Sequence, residues 1–225
     1  MSPSAAEPGF LITAAVYAQA LPAVAYSISR GRTASASFAT LGGLVTVLSA
    51  FIGVEVGRLF GNNLIVGYIA IPITAGAYIL ALAEWQVTYL EKLMVRIGVG
   101  LFVAIYTILV RFLENVTHFG QYSHTLYAFV LLVIALWTLG RRALAPTSEG
   151  LAIETDWFWI AFGLAIYGAA TAASAAIGNI LLARERVDLF MQAWNVRGAL
   201  VILAFISISW GVFRGPARGM TEVPA

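Results

Sequence analysis

Seven stretches of about twenty predominantly apolar residues follow one another along the chain, each bounded by charged or glycine- and asparagine-containing breaks. In hydrocarbon only a helix satisfies its own backbone hydrogen bonds over such a length, so the pattern predicts an all-α, polytopic bundle of seven transmembrane helices. The spans are expected near 9–29, 38–60, 63–84, 94–113, 122–140, 157–182 and 196–213, within a single membrane domain covering 1–225. Pro22 and Pro72 fall inside the first and third spans and are expected to kink them. The longest connection, Gly140 to Asp156, is polar, so the last two helices are expected to form a sub-unit hinged against the first five.

Composition agrees with a membrane protein. Apolar residues make up 60% of the chain and charged residues 11%, against about 25% in soluble domains. The net charge is only +2, and the basic residues sit at span ends as lipid-facing anchors do, which excludes a nucleic-acid partner and makes the bilayer the expected one. With no cysteine there is no thiolate metal site or disulfide framework. The high Arg, Ala and Gly content with a single lysine fits a bacterial inner-membrane protein. The N-terminal MSPSAAEPG has no basic region of the kind that begins a cleaved signal peptide.

Basic residues near span ends resist translocation and so set orientation. One face collects Arg30, Arg32, Lys92, Arg96, Arg141, Arg142, Arg214 and Arg218; the other has Arg58, Arg111, Arg184, Arg186 and Arg197. The N-terminus is therefore expected outside and the C-terminus in the cytoplasm.

Small residues permit close helix approach in lipid. Gly53, Gly57 and Gly61 recur at a spacing of four in the second span, and Gly168, Ala172 and Ala176 in the sixth. Both stripes are expected at helix contacts, with these two spans at the crowded centre; a seam between copies of the chain is the other use of such stripes. The oligomeric state does not follow from them.

Charges at the span ends supply the candidate sites. On the outer face, Glu55 and Arg58 stand at i, i+3, Arg111 and Glu114 repeat the arrangement, and Asn62, Asn63, Asn179, Asn195 and Arg197 add polar groups at similar depth. The ordinary reading of Glu55 and Arg58 is a local ion pair. The functional reading is a polar ligand-binding ring, in which Arg197 with Asn195 closes the mouth of the bundle. There Arg197 pairs with Glu55 or Glu114, receives the polar head of a ligand, or reaches out to lipid phosphates. On the inner face, Glu84 and Glu91 are candidates for cytoplasmic coupling, while Trp85 and Tyr89 read as interfacial aromatics.

Catalytic chemistry finds no support. His118 and His124 are six residues apart, lack the i, i+4 spacing of a helical metal site and have no carboxylate cluster beside them. Neither HExxH nor GxSxG occurs. Ser174, Ser207 and Ser209 read as serines bonded to helix carbonyls. A retinal Schiff base needs a lysine inside the bundle, and the single lysine, Lys92, lies at a helix boundary. No catalytic residue, metal or cofactor is expected.

Several features together make the chain resemble the seven-helix membrane domains at the N-termini of some bacterial sensor histidine kinases and their stand-alone relatives of unknown function. They are Asn62-Asn63 opening the third span, Glu84 closing it, Asp156-Trp157-Phe158-Trp159-Ile160 with Gly163 and Tyr167 in the sixth, and Trp194-Asn195 before the seventh. The resemblance implies a sensor of a ligand or of membrane state. Few residues follow Arg214, so no kinase or other output domain is expected, and signalling is expected to pass through a separate membrane or cytoplasmic protein partner. The leading expectation is thus a receptor-like sensory module without a fused effector. An accessory or scaffolding subunit of a membrane complex is the first alternative, and a small-solute transporter or channel, which calls for charges or broken helices near the midplane, the second.

Overall fold

A computed structural model describes residues 10–29, 33–114, 121–144 and 155–215, and all of the regular structure among them is α-helical. In chain order the helices are α1 (Phe10–Ala18), α2 (Leu21–Ile28), α3 (Ala34–Phe60), α4 (Leu64–Ala83), α5 (Tyr89–Phe112), α6 (Gln121–Leu144), α7 (Asp156–Ala183) and α8 (Val187–Arg214). With α1 and α2 taken together they make seven segments long and apolar enough to cross a bilayer, and the chain is a multi-pass membrane protein.

Local chemistry explains where the boundaries differ from expectation. The first span is broken, not merely bent. Pro22, in the first turn of α2, has no N–H to offer the carbonyl of Ala18, and the chain closes α1 with short bonds from Gln19 N to Val16 O (3.2 Å) and Ala20 N to Tyr17 O (3.0 Å). Pro72, by contrast, is accommodated within a continuous α4. The Thr33 hydroxyl accepts from Ala36 N at 3.1 Å, starting α3 four residues earlier than hydropathy indicates. Thr88 and Glu91 form a reciprocal capping box that starts α5 at Tyr89, not at 94. The last helix begins at Val187 instead of 196, because the polar turns around Asp188 and Gln192 continue the helix beyond its apolar part.

The helices close into one ring. The most extensive contacts are between α7 and α8, then α6 and α7, then α3 and α4, while α8 also meets both α1 and α2. The last two spans are therefore not a separate hinged unit; α7 is seated against α6, with the backbone at Gly168 so close that an added Cβ would stand 2.9 Å from Leu132 N. At the centre lie α7 and α4, with 61% and 56% of an apolar 18-residue stretch of each buried, whereas the corresponding stretch of α5 has 11%. Tyr78 of α4, Tyr167 of α7 and Phe205 of α8 meet there edge to face, with Tyr78–Tyr167 and Tyr167–Phe205 centroids 6.0 and 5.4 Å apart. Gly42 of α3 makes room for the Tyr78 ring, which any larger residue would strike.

The glycine stripe of the second span takes a different role from the one expected. A Cβ at Gly57 would meet Asn63, the N-cap of α4 (nearest atom Cβ, 3.3 Å), one at Gly53 the same atom (3.9 Å), and Gly61 is the left-handed residue (φ 73°) that ends α3. In the sixth span Gly168 meets α6, while Ala172 is half-buried and Ala176 exposed.

Candidate functional site

At the end of the bundle that contains the α4 C-terminus, polar side chains interlock. Glu84, the C-cap of α4, receives Lys92 Nζ on one carboxylate oxygen and Arg96 on the other, both at 2.6 Å. Burial pushes the Glu84 carboxyl up, and the hydrogen bonds and charges of Lys92 and Arg96 more than offset this, holding it below the ordinary carboxylate value. Glu91 receives Arg141 at 2.6 Å, tying α5 to α6. Arg142 donates to Trp85 O at 2.8 Å and lies over the Trp85 ring. The Trp85 indole is buried and donates to Ser35 Oγ (2.5 Å), and Ser35 Oγ in turn donates to Ala81 O (3.0 Å). Gln86 donates to Thr138 Oγ1 of α6 at 2.8 Å. Four helices, α3 to α6, are thus laced together by these ion pairs and hydrogen bonds, although Gln86 Oε1 is buried without a partner. Trp85 is an internal strut here and not the interfacial aromatic expected, whereas Tyr89 is exposed.

At the opposite end the expected polar ring separates into pieces. Glu55 pairs with Arg58 at 3.5 Å, both well exposed, so this is the local i, i+3 pair and neither faces the bundle interior. Glu114 caps the next helix, its Oε1 accepting from Tyr122 N (2.5 Å) and Ser123 N (2.8 Å) of α6. Arg111 is exposed and, with Glu114, borders a groove of ≈600 Å³ between α4 and α5. Asn62 Oδ1 accepts from Leu64 N (2.9 Å) at the start of α4, and Asn63 rests on Gly57. Asn195 is half-buried in α8. His118 and the Asn179 side chain lie outside the described residues.

Glu114 and Arg197 each carry a buried side-chain atom, Oε2 and Nε respectively. Because α8 begins at Val187, Arg197 stands ten residues into the helix, about 15 Å along its axis. Its guanidinium lies 5.0 Å from the Trp194 ring centroid, and Trp194 in turn stacks on Phe190 at 5.1 Å, so one stripe of α8 carries the whole stack. Neither Glu55 nor Glu114 pairs with it, and Arg197 Nε is buried without a hydrogen-bond partner.

Arg197 borders two adjoining cavities, of ≈170 and ≈100 Å³, that share it with His124 and Thr171. The larger is walled by Thr46 and Ser49 of α3, Thr74 of α4, Tyr127 of α6, and Tyr167 and Thr171 of α7; Ser174 and Trp194 border the smaller. None of the described lining residues is acidic. Thr171 is 5% exposed, and its hydroxyl, like Arg197 Nε, is buried without a partner. A permanently charged guanidinium in such a place attracts an anion, and hydroxyls around it can donate to one.

The wall is what sequence reading missed. Thr46, Thr74, Tyr127 and Thr171 are isolated hydroxyls within apolar runs, one each from α3, α4, α6 and α7, and the Tyr167 noted in the sixth span joins them at the cavity. Ser174, Ser207 and Ser209 do bond to helix carbonyls, Thr171 O, Leu203 O and Phe205 O respectively. The chain matches no protein-family model, no curated protein and no solved structure.

Proposed function

We propose that the protein is a receptor-like sensory module of a bacterial inner membrane, in which a solute taken into the Arg197 cavity biases the packing of helix ends on the opposite face. The observation that carries this reading is the placement of Arg197. An arginine within a membrane span costs ~3 kcal/mol or more unless it is paired or wetted. Here the guanidinium adjoins cavities bordered by hydroxyls and no carboxylate. A site with an uncompensated charge is one whose occupancy changes the energy of its surroundings. The helix that carries it, α8, is continuous from Val187 to Arg214 and so leads to the other end of the bundle. We further propose that the Arg197 end faces outward and the Glu84 end the cytoplasm, following the excess of basic residues near Glu84, and that a separate protein reads the cytoplasmic helix ends.

The chain contains no cysteine, so site-specific labels are simple to introduce. Spin labels on Leu144→Cys and Phe213→Cys, at the Glu84 end of α6 and α8, report the distance between those helix ends. Sensing requires that distance to change when a solute occupies the cavity; constant distances under every bound solute refute it. A reporter fused to the C-terminal end is expected in the cytoplasm, and the opposite result reverses the orientation.

A transporter is the second reading, and one observation favours it: the first span is broken between Ala18 and Leu21, inside the membrane-length segment. Uptake of a cavity-binding solute into proteoliposomes, without a label movement at the Glu84 end, would replace the sensory reading with this one.

A further inference from the structure

Among the described residues Arg197 has no acidic partner, yet its surroundings are not simply apolar. Its side chain stacks on Trp194, which fixes the guanidinium plane and leaves its edge for hydrogen bonding. Thr171, buried and with a spare hydroxyl, borders the same two cavities. The larger cavity is also bordered by Ala70, Ile71 and the ring of Tyr167, which itself abuts Phe205. Its lining therefore combines a cation and hydroxyls with apolar and aromatic groups.

We infer that the Arg197 cavity binds a short organic carboxylate, its carboxylate on the Arg197 guanidinium and the Thr171 hydroxyl and its carbon chain against Ile71 and Tyr167. This rests on the reading of the cavity as the ligand site of the receptor. A guanidinium offers two parallel N–H donors that match the two carboxylate oxygens, and the threonine hydroxyl supplies a further donor. At about 30 Å³ per water, ≈170 Å³ holds about six waters, which suits an occupant of roughly six non-hydrogen atoms. The walls come from α3, α4, α6, α7 and α8, so the cavity belongs to the bundle interior and not to its lipid-facing surface. That position favours a water-borne solute over a lipid headgroup.

The test is thermal unfolding of the purified protein in detergent, titrated with sodium acetate, propionate, butyrate and lactate against sodium chloride at matched ionic strength. At least one carboxylate should raise Tm beyond chloride in a saturable manner. Arg197→Gln should abolish that shift while leaving the ligand-free Tm equal to or above that of the parent, because an uncompensated charge has been removed; an arginine serving only structure would lower it. Arg197→Lys, keeping the charge without the fork, should bind at least ~10-fold more weakly, and Thr171→Val roughly 3- to 10-fold more weakly. The assignment is overturned if no carboxylate exceeds chloride, if Arg197→Gln retains the shift, or if phosphate or added anionic lipid is the stronger stabiliser. Should Arg197→Gln fail to fold, unchanged affinity in both Arg197→Lys and Thr171→Val overturns it. Carboxylate binding with no label movement at the Glu84 end removes the sensory reading and leaves the site intact; label movement driven only by other solutes does the reverse.

Discussion

The two ends of the bundle use the same kinds of residue to opposite effect. Near Glu84, two arginines, a lysine and two glutamates pair off, and Trp85 and Gln86 donate to Ser35 and Thr138 of neighbouring helices, while Gln86 Oε1 is left buried without a partner. Near Arg197, the described residues leave the guanidinium Nε and the Thr171 hydroxyl buried without a hydrogen-bond partner. The charges of the first arrangement are paired within the chain. That of the second is not paired by any described residue. Polar groups in a membrane protein thus divide by whether the chain itself supplies their partners, which matters more than how many charges an end contains.

The contrast can be attacked from both sides. The largest effect is expected where the two ends are joined, at the α6–α7 seam: Gly168→Leu would drive a side chain into the α6 backbone and should cost about 3 kcal/mol or prevent folding, measured by thermal unfolding in detergent. Tolerance of leucine there would mean that the ring of helices is looser than its contacts indicate.

Next comes Glu84→Gln, which leaves Lys92 and Arg96 without their shared carboxylate and should cost about 2 kcal/mol at neutral pH. The pH dependence has a definite sign. Since folding lowers the Glu84 pKa from 4.5, its contribution is complete above about that pH and is lost as the pH falls through the lower folded value. The gap between parent and variant should therefore close in acid, and a gap that widens would contradict the paired state. Trp85→Phe removes only the indole donor to Ser35 and should cost about 1 kcal/mol; combined with Ser35→Ala, the two effects should be less than additive.

The smallest effect belongs to Glu55→Gln. Its pair with Arg58 is exposed and should be worth less than about 0.5 kcal/mol, with no change in solute binding. A strong effect on binding would return Glu55 to the site and undo the division between the two ends.

The sequence made the number and type of helices legible, because twenty apolar residues in hydrocarbon permit little else. Helix starts were less legible, since Thr33 and the Thr88–Glu91 box cap helices through geometry that hydropathy does not register. Arg197 could be singled out as a charge near a span, but its depth could not: the nine residues from Val187 to Asn195 read as loop, yet they form the first turns of α8. Glu55, Arg58, Arg111 and Glu114 share a depth without sharing a direction, and only helix rotation separates them. Thr171 and Tyr127 were invisible because a lone hydroxyl in an apolar run has the same composition whether it faces a cavity, a carbonyl or lipid.

The break in the first span bears on how the protein is assembled. At 1.5 Å per residue, the nine residues of α1 and the eight of α2 are each about half the length needed to cross the hydrocarbon. Between them the Ala18 carbonyl has lost its helical donor, and the next carbonyl, that of Gln19, lies where a Cβ on Gly43 of α3 would stand. An isolated first span would therefore expose backbone dipoles to lipid as it left the translocon. Its stable insertion has to wait for α3 to cover Gln19 and for α8, made after the other six described spans, to receive Leu11 against Gly198. The amino terminus of the bundle is the first part made and the last part secured.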